Sequence, residues 1–251
     1  MIAVNIDTAL IVQACDFDFN LRRLERYLVM VNEGHIEPVL LLTKSDLVSP
    51  EKLEQGIVVV RQSNITCKVL PLSNITGFGV DQVRQLLEAG KTYCLVGSSG
   101  VGKTTLLNHI IGRDVFETNT VRASDGKGKH TTTQRQLIVL DQGAILIDTP
   151  GMRELANIGV SSGLAESFGD IWSLLKTCRF ANCTHAKEDG CALLNAIENG
   201  TLQADRYQSF LKLIKESEYN ELSYVEKRRK DRKFGQFIKT AMKHHKKNSG
   251  Q

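Results

Sequence analysis

The sequence predicts an α/β fold: a mainly parallel sheet covered by helices on both faces, joined to a smaller helical module. Three observations point to it. From residue 8 to about residue 147, apolar segments that end in polar loops alternate with segments of helical periodicity. The loops following several of these apolar segments carry ligand-type motifs, and parallel sheets bind ligands at the carboxyl ends of their strands. After about residue 157 the strand signal stops, and helix-patterned segments surround three cysteines and a histidine. The expected division is therefore 1–157 and 158–251.

Residues 8–14 (TALIVQA) and 38–42 (PVLLL) read as buried strands. Between them, 20–33 (NLRRLERYLVMVNE) repeats apolar residues at helical spacing, with Gly34 as the expected C-terminal cap. Ser49-Pro50 fits an N-cap and first helical position. A short apolar run, 67–72 (CKVLPL), precedes a helix expected over 80–89 and stopped by Gly90. Then come a strand at 92–96 (TYCLV), a glycine-rich loop, and a helix at 103–111 ending at Gly112. Residues 135–140 and 143–147 read as a strand pair with Gln142-Gly143 at the turn, and a long charged helix is expected over 203–233. Strands alternating with helices imply a parallel sheet buried on both sides.

Composition narrows the class. A chain of 251 residues with 41% hydrophobic residues can bury one domain core and a smaller module. No apolar run is long enough to span a bilayer, so no membrane is expected. The apolar stretch Ile2–Ala14 has no basic lead and contains Asp7, which favours a first strand over a signal peptide. Residues 226–251 hold ten Lys/Arg and two Asp/Glu, or +8, leaving 22 basic against 26 acidic residues, or −4, in the remainder. Such a tail implies an anionic partner, the alternative being a solvated helix with a frayed end. Of six cysteines, Cys15, Cys67 and Cys94 lie in or beside apolar runs, while Cys178, Cys183 and Cys191 crowd around His185. A reduced, cytoplasmic chain with a metal site is expected rather than a disulfide scaffold.

Residues 97–104 (GSSGVGKT) match G-x-x-x-x-G-K-[ST] between an expected strand and an expected helix. Gly97, Ser98, Ser99, Gly100, Val101 and Gly102 would turn backbone N–H groups onto phosphate oxygens, aided by the helix start. Lys103 would reach the β- and γ-phosphates, the Thr104 hydroxyl would ligate Mg2+, and Thr105 would touch the α-phosphate. The motif alone does not separate ATP from GTP.

Thr43-Lys44-Ser45-Asp46 follows PVLLL and resembles the NKxD element of GTPases. An aspartate there accepts from N1–H and the 2-amino group of guanine. Adenine offers neither, and a carboxylate left unpaired would reject it. Thr43 replaces the usual asparagine, which predicts weaker affinity with guanine preference retained by Asp46. Ser73, in Pro71-Leu72-Ser73-Asn74, sits where GTPases back the guanine carbonyl with a backbone N–H.

Asp148-Thr149-Pro150-Gly151 matches DxxG: Asp148 would hold Mg2+ through water, and the Gly151 N–H would bind the γ-phosphate. GKGKHTTT (126–133) occupies the switch I position, where Thr132 or Thr131 would complete the Mg2+ shell. Met152 stands where Ras-like proteins place a water-orienting glutamine. His130 is the nearest substitute as a catalytic group, the alternative being a surface or RNA-contact histidine. Cys178, Cys183, His185 and Cys191 supply three thiolates and an imidazole, a closed structural zinc set without an open catalytic position. Buried free cysteines or a redox pair are the alternatives.

The base loop precedes the phosphate loop, and DxxG comes last, so the motifs of a P-loop GTPase run in circularly permuted order. DxxG then leads directly into the C-terminal module. On DFDFNLRRLERYL, EPVLLLTKSDL, GSSGVGKTTLLN, GKGKHTTT, DTPGMREL and the cysteine cluster, the sequence resembles the bacterial ribosome small-subunit-dependent GTPase A family. The resemblance covers nearly the whole chain; members usually carry an N-terminal OB-fold, and this sequence begins just after its expected end, through truncation, a misassigned start or a member without it. It implies a GTP hydrolase that acts in maturation of the small ribosomal subunit. The expected partners are that subunit, its rRNA and GTP/GDP, the cofactors Zn2+ and Mg2+, and the state a cytoplasmic monomer. An RNA-binding factor that uses nucleotide only as a regulator is the second reading, favoured by Met152. An ATP-dependent kinase is disfavoured by TKSD.

Overall fold

Seven consecutive buried residues make β1 (Thr8–Ala14) a central strand. Alternate β1 residues serve opposite cores: Leu10 and Val12 one, Ala9 and Ile11 the other. The same division repeats in β2 (Glu37–Thr43), with Val39 and Leu41 against Leu40 and Leu42, and in β4 (Thr92–Gly97), with Tyr93 and Leu95 against Cys94 and Val96. This is the two-sided burial that continuous apolar runs anticipate. The computed structural model describes residues 5–16, 18–113, 136–148, 161–223, 225–229 and 232.

With β3 (Lys68–Pro71), β5 (Gln136–Val139) and β6 (Ile145–Asp148), the strands form one sheet in the order β3-β2-β1-β4-β6-β5. All neighbours pair in parallel except β5, which runs antiparallel to β6. Helices α1 (Leu21–Glu33) and α2 (Pro50–Gln62) cover one face through Leu24, Leu28, Val31 and Val60. Helices α3 (Val80–Leu86) and α4 (Lys103–Ile111) cover the other through Val83, Leu106, Leu107 and Ile110. Each such side chain contributes about 1.5–3 kcal/mol when fully buried.

The helix signals are partly as the sequence implies. Ser49 accepts from the Lys52 N–H and caps α2, with Pro50 in the first position. Gly112, in the left-handed region, ends α4. Gly34 is the C-cap of α1, as expected, and the left-handed conformation follows it at His35. His35 N–H donates to Asn32 O and Ile36 N–H to Val31 O, a Schellman closure with Ile36 and Val31 in the same core. The helix expected over 80–89 stops at Leu86, and Gly90 instead donates to the Gly143 carbonyl beside the β5–β6 turn.

The C-terminal part comprises α5 (Ser161–Ser167), α6 (Gly169–Leu175), α7 (Ala192–Glu198) and α8 (Ala204–Glu221) around Phe168, Ile171, Leu193 and Phe210. Val29 of α1 joins that core. The continuous helix expected over 203–233 is interrupted after Glu221: Leu222 is extended, and helical residues resume at Val225. Ser223 starts the second stretch. Its N–H and hydroxyl donate to Glu226, whose N–H donates back to Ser223 Oγ, a reciprocal S-x-x-E cap.

This module is bolted to α1. A Cβ on Gly163 would stand 2.1 Å from the Val29 carbonyl, so only glycine lets α5 approach so closely. Glu33 accepts from the Gly163 N–H and Ser162 Oγ, and Asn32 donates to Ser167 Oγ. Buried Arg206 of α8 pairs with Glu25 of α1 at 2.9 Å and grips both oxygens of Asp170 of α6. The expected division at 157/158 lies outside the described residues.

Candidate functional site

The phosphate loop connects β4 to α4, at the carboxyl end of the sheet. Gly97 is required by proximity: a Cβ there would meet the Val12 carbonyl of β1 at 2.3 Å. Gly100 and Gly102 both lie in the left-handed region, which turns the loop. Gly102 is the N-cap of α4 and has no side chain to cap it, so the first-turn N–H groups are not taken by a capping side chain. Such a helix start favours anions. Lys103 Nζ bonds the Gly97 and Ser98 carbonyls at 2.9 and 2.7 Å, lying across the loop. Thr104 and Thr105, both half-buried, follow on the first turn.

The base loop leaves β2 beside it. Thr43 is fully buried, and its hydroxyl lies 2.6 Å from the Val101 carbonyl and 3.2 Å from that of Gln13. The residue that departs from NKxD thus ties the base loop to the phosphate loop with its one proton. Lys44 adopts a left-handed conformation, uncommon for lysine, and pairs with Asp16 at 2.9 Å. Ser45 N–H donates to Leu72 O, which joins the base loop to the end of β3. Asp46 follows, exposed, in a short 3-10 turn (Ser45–Leu47). After β3, the buried Ser73 hydroxyl accepts from the N–H groups of Ile75 and Thr76, and its own N–H is spent on Phe78 O. Ser73 therefore shapes this loop. Its neighbour Asn74 reaches the phosphate loop, with Nδ2 donating to Gly102 O at 3.0 Å.

The sequence-predicted phosphate and base residues, 97–105, 43–46 and 73, are thus brought to one end of the sheet. Asp148 ends β6, paired in register with Leu95 of β4, which places its backbone near the phosphate loop. The Asp148 side chain, His130, Thr131, Thr132, Gly151 and Met152 lie outside the described residues. Two contributors were not singled out from sequence, Asp16 and Asn74. Both stand in quoted segments, DFDFN and PLSN, but nothing local marks Asp16 as the partner of Lys44.

The second site lies in the helical module. Cys178 Sγ is 3.9 Å from Cys191 Sγ, and His185 Nδ1 is 3.6 and 3.5 Å from these sulfurs. With Cys183, all four ligand atoms lie within 4.8 Å of one another. Tetrahedral zinc, with bonds of about 2.3 Å to sulfur and 2.0 Å to nitrogen, has S···S edges near ~3.8 Å and S···N edges near ~3.5 Å. The donor set and spacing fit zinc. Cys191 is also the N-cap of α7. Desolvation raises the Cys178 thiol, but the Ala192 and Leu193 N–H groups and neighbouring thiols outweigh it and hold it below the ordinary value. Glu188 braces the ligand loop, accepting from Thr184 N–H and Oγ1 and from the Ala186 and Lys187 N–H groups. Burial pushes the Cys15, Cys67 and Cys94 thiols up to about 12, 11 and 12, so these three stay neutral.

A family model described as RsgA GTPase matches residues 1–157. The chain belongs to the RsgA GTPase family. It is therefore a GTP-hydrolysing enzyme with a circularly permuted P-loop fold. A second model, described as 50S ribosome-binding GTPase, matches residues 92–225, beginning at β4. The chain is 43% identical over 239 residues to "Small ribosomal subunit biogenesis GTPase RsgA 2" of Vibrio vulnificus, covering 95% of this chain and 68% of that protein. It is 42% identical to "Small ribosomal subunit biogenesis GTPase RsgA" of Methanosarcina acetivorans, covering 91% of this chain and 60% of that one. Among solved structures it resembles YjeQ from Thermotoga maritima, with a TM-score of 0.61 and 27% identity over 85% of this chain and 72% of that one. It also resembles YloQ, described as a circularly permuted GTPase, with a TM-score of 0.58 and 26% identity over 88% and 71%. The resemblance read from the motifs and the permuted order both hold. No helix among the described residues is long and apolar enough to cross a membrane.

Proposed function

We propose that this RsgA-family GTPase acts in biogenesis of the small ribosomal subunit, as a cytoplasmic monomer that docks on the subunit and its rRNA. Hydrolysis is slow alone and accelerated by docking. The observation that carries the nucleotide chemistry is the meeting of an uncapped helix start at Gly102 with a base loop tied to it through Thr43 and Val101. The names of the relatives support the ribosomal part.

In this reading Asp46 selects guanine, with the Lys44 stem along the base held by Asp16. Lys103 and the N–H groups of 98–105 take the charge of the β- and γ-phosphates, and Gly151 N–H takes the γ-phosphate. Thr104, Asp148 and Thr132 or Thr131 would hold Mg2+, which would supply charge neutralisation for the phosphates. Water attacks the γ-phosphorus, the bond to the β–γ bridging oxygen breaks, and GDP and phosphate leave. With Met152 in place of glutamine, water is oriented by His130 or by a group on the ribosome. Cys178, Cys183, His185 and Cys191 would hold one structural zinc, which would staple the helical module, and that module with its basic tail contacts rRNA.

The base assignment is tested by displacement of a fluorescent GDP analogue. GTP should compete and ATP should not, and Asp46→Asn should shift preference toward xanthosine triphosphate. ATP competing as well as GTP overturns the assignment. The description of the second family model favours a large-subunit partner instead. Co-sedimentation of the GTP-loaded protein with purified small and large subunits separates the two: small-subunit binding is expected, and large-subunit binding alone rejects the proposal.

A further inference from the structure

We infer that Asn74 supplies, from the loop after β3, the carboxamide that the base loop lacks at Thr43, so that two side chains from two strand ends share the work of locking the phosphate loop to the base site. This rests on the assignment of the base site above.

Four observations converge. Thr43 has a single hydroxyl proton, and the nearest acceptor is the Val101 carbonyl at 2.6 Å. That leaves the next carbonyl, Gly102 O, beyond its capacity. Asn74 Nδ2 takes this carbonyl at 3.0 Å. The orientation of the amide is fixed chemically, because a carbonyl can only accept. Both side chains close on one residue: a Cβ added to Gly102 would stand 2.8 Å from Asn74 Nδ2 and 4.0 Å from Thr43 Oγ1. Finally, Asn74 Oδ1 is buried without a hydrogen-bond partner among the described residues. A buried carboxamide left half-satisfied is costly as mere packing. Its position is explained if the donor half is the part that matters.

Gly102 opens α4, and its carbonyl also accepts the Leu106 N–H of the first helical turn. Fixing Gly102 therefore fixes the direction in which the helix start meets the phosphates. Asn74 comes from the loop assigned to the guanine in this reading, so the tie would set the distance between base and phosphate subsites. Asn74 is a positioning residue, acting through the loop rather than by reading the base.

The test uses the full chain with its zinc and four variants: Asn74→Asp, Asn74→Ala, Thr43→Asn and the double Thr43→Asn/Asn74→Ala. Asn74→Asp keeps the shape but removes the donor. Release of a fluorescent GDP analogue should quicken about tenfold in Asn74→Asp and Asn74→Ala, the scale of one lost hydrogen bond. Discrimination of GTP over ATP, set by Asp46, should persist, and the melting temperature of Asn74→Ala should fall by no more than about 3–6 °C, the scale of the same lost bond. Thr43→Asn restores a carboxamide from the other loop and should bring release in the Asn74→Ala background back to within about threefold of the parent. That rescue is a result a generic packing role does not give. Release within about twofold of the parent in both single Asn74 variants overturns the proposal. So does a double variant that melts normally yet stays as defective as Asn74→Ala. ATP binding as well as GTP in the parent is a different failure, one that removes the base site itself and the proposal with it.

Discussion

Replacing Arg206 with methionine should loosen the C-terminal module from the GTPase core without touching the nucleotide site. Arg206 grips Asp170 with Nε at 2.9 Å and Nη2 at 3.0 Å, and reaches Glu25 with Nη1 at 2.9 Å. The Arg206 and Glu25 side chains are 3% and 1% exposed, while Asp170 is 20% exposed. Methionine fills the stem but strands Glu25, which among the described residues has no partner at Oε2 and would keep Arg22 alone at Oε1. Breaking a buried pair from one side costs about 3–5 kcal/mol. Rehydration of the more open Asp170 favours the lower end. At about 2–4 °C per kcal/mol for a chain of this size, the melting temperature should fall by about 6–12 °C. Because the cost lies in the orphaned charges, adding Glu25→Gln and Asp170→Asn should recover most of it. Calorimetry reads the stability, and GDP release, expected within about twofold of the parent, reads the nucleotide site. A single variant that melts within about 2 °C of the parent, or a triple variant no better than the single, refutes the reasoning.

Gly97→Ala forces a methyl to 2.3 Å from the Val12 carbonyl, so GDP affinity should fall at least about tenfold, measured by fluorescence titration; unchanged affinity contradicts the close approach. Glu188→Ala removes the brace of the ligand loop, and chelator competition should show zinc affinity lowered by about 10–100-fold with the four ligands intact. Cys183→Ser should lower zinc content and the stability of the helical module while GDP still binds; a metal-free parent whose module melts normally contradicts the zinc assignment. Burial raises the Asp170 carboxyl, but Arg206 and Asn64 outweigh it and leave the group below its ordinary 3.8. Its stabilising contribution is therefore complete above the ordinary value and is lost as pH falls through the lower folded one. Melting temperatures of the parent should drop below pH 3.8 more steeply than those of Asp170→Asn; parallel curves reject this.

What the sequence shows and what it hides follow from the range of each signal. The phosphate loop is legible because its glycines, lysine and threonine are contiguous, and the strands because β1, β2 and β4 are apolar on both faces. The four zinc ligands lie within fourteen residues. Helix ends are less legible: Gly34 caps α1 as the sequence implies, but the left-handed residue that closes the helix is His35, which brings the Ile36 N–H onto Val31 O. The break at Leu222 has a local signal, the S-x-x-E of Ser223 and Glu226, which the strongly charged run over 203–233 obscured. Asp16 with Lys44, Asn74 with Gly102, and Arg206 with Glu25 leave no trace in any periodicity. Their partners are 28, 28 and 181 residues apart and meet only once the sheet has ordered the loops.

The most direct test of the account is multiple-turnover GTP hydrolysis with purified small subunits, large subunits or neither, at low and moderate salt. The account predicts slow turnover alone and with large subunits, and a steep rise with small subunits. That rise should shrink as salt displaces basic side chains from rRNA phosphates. Equal rates in all three conditions would contradict it.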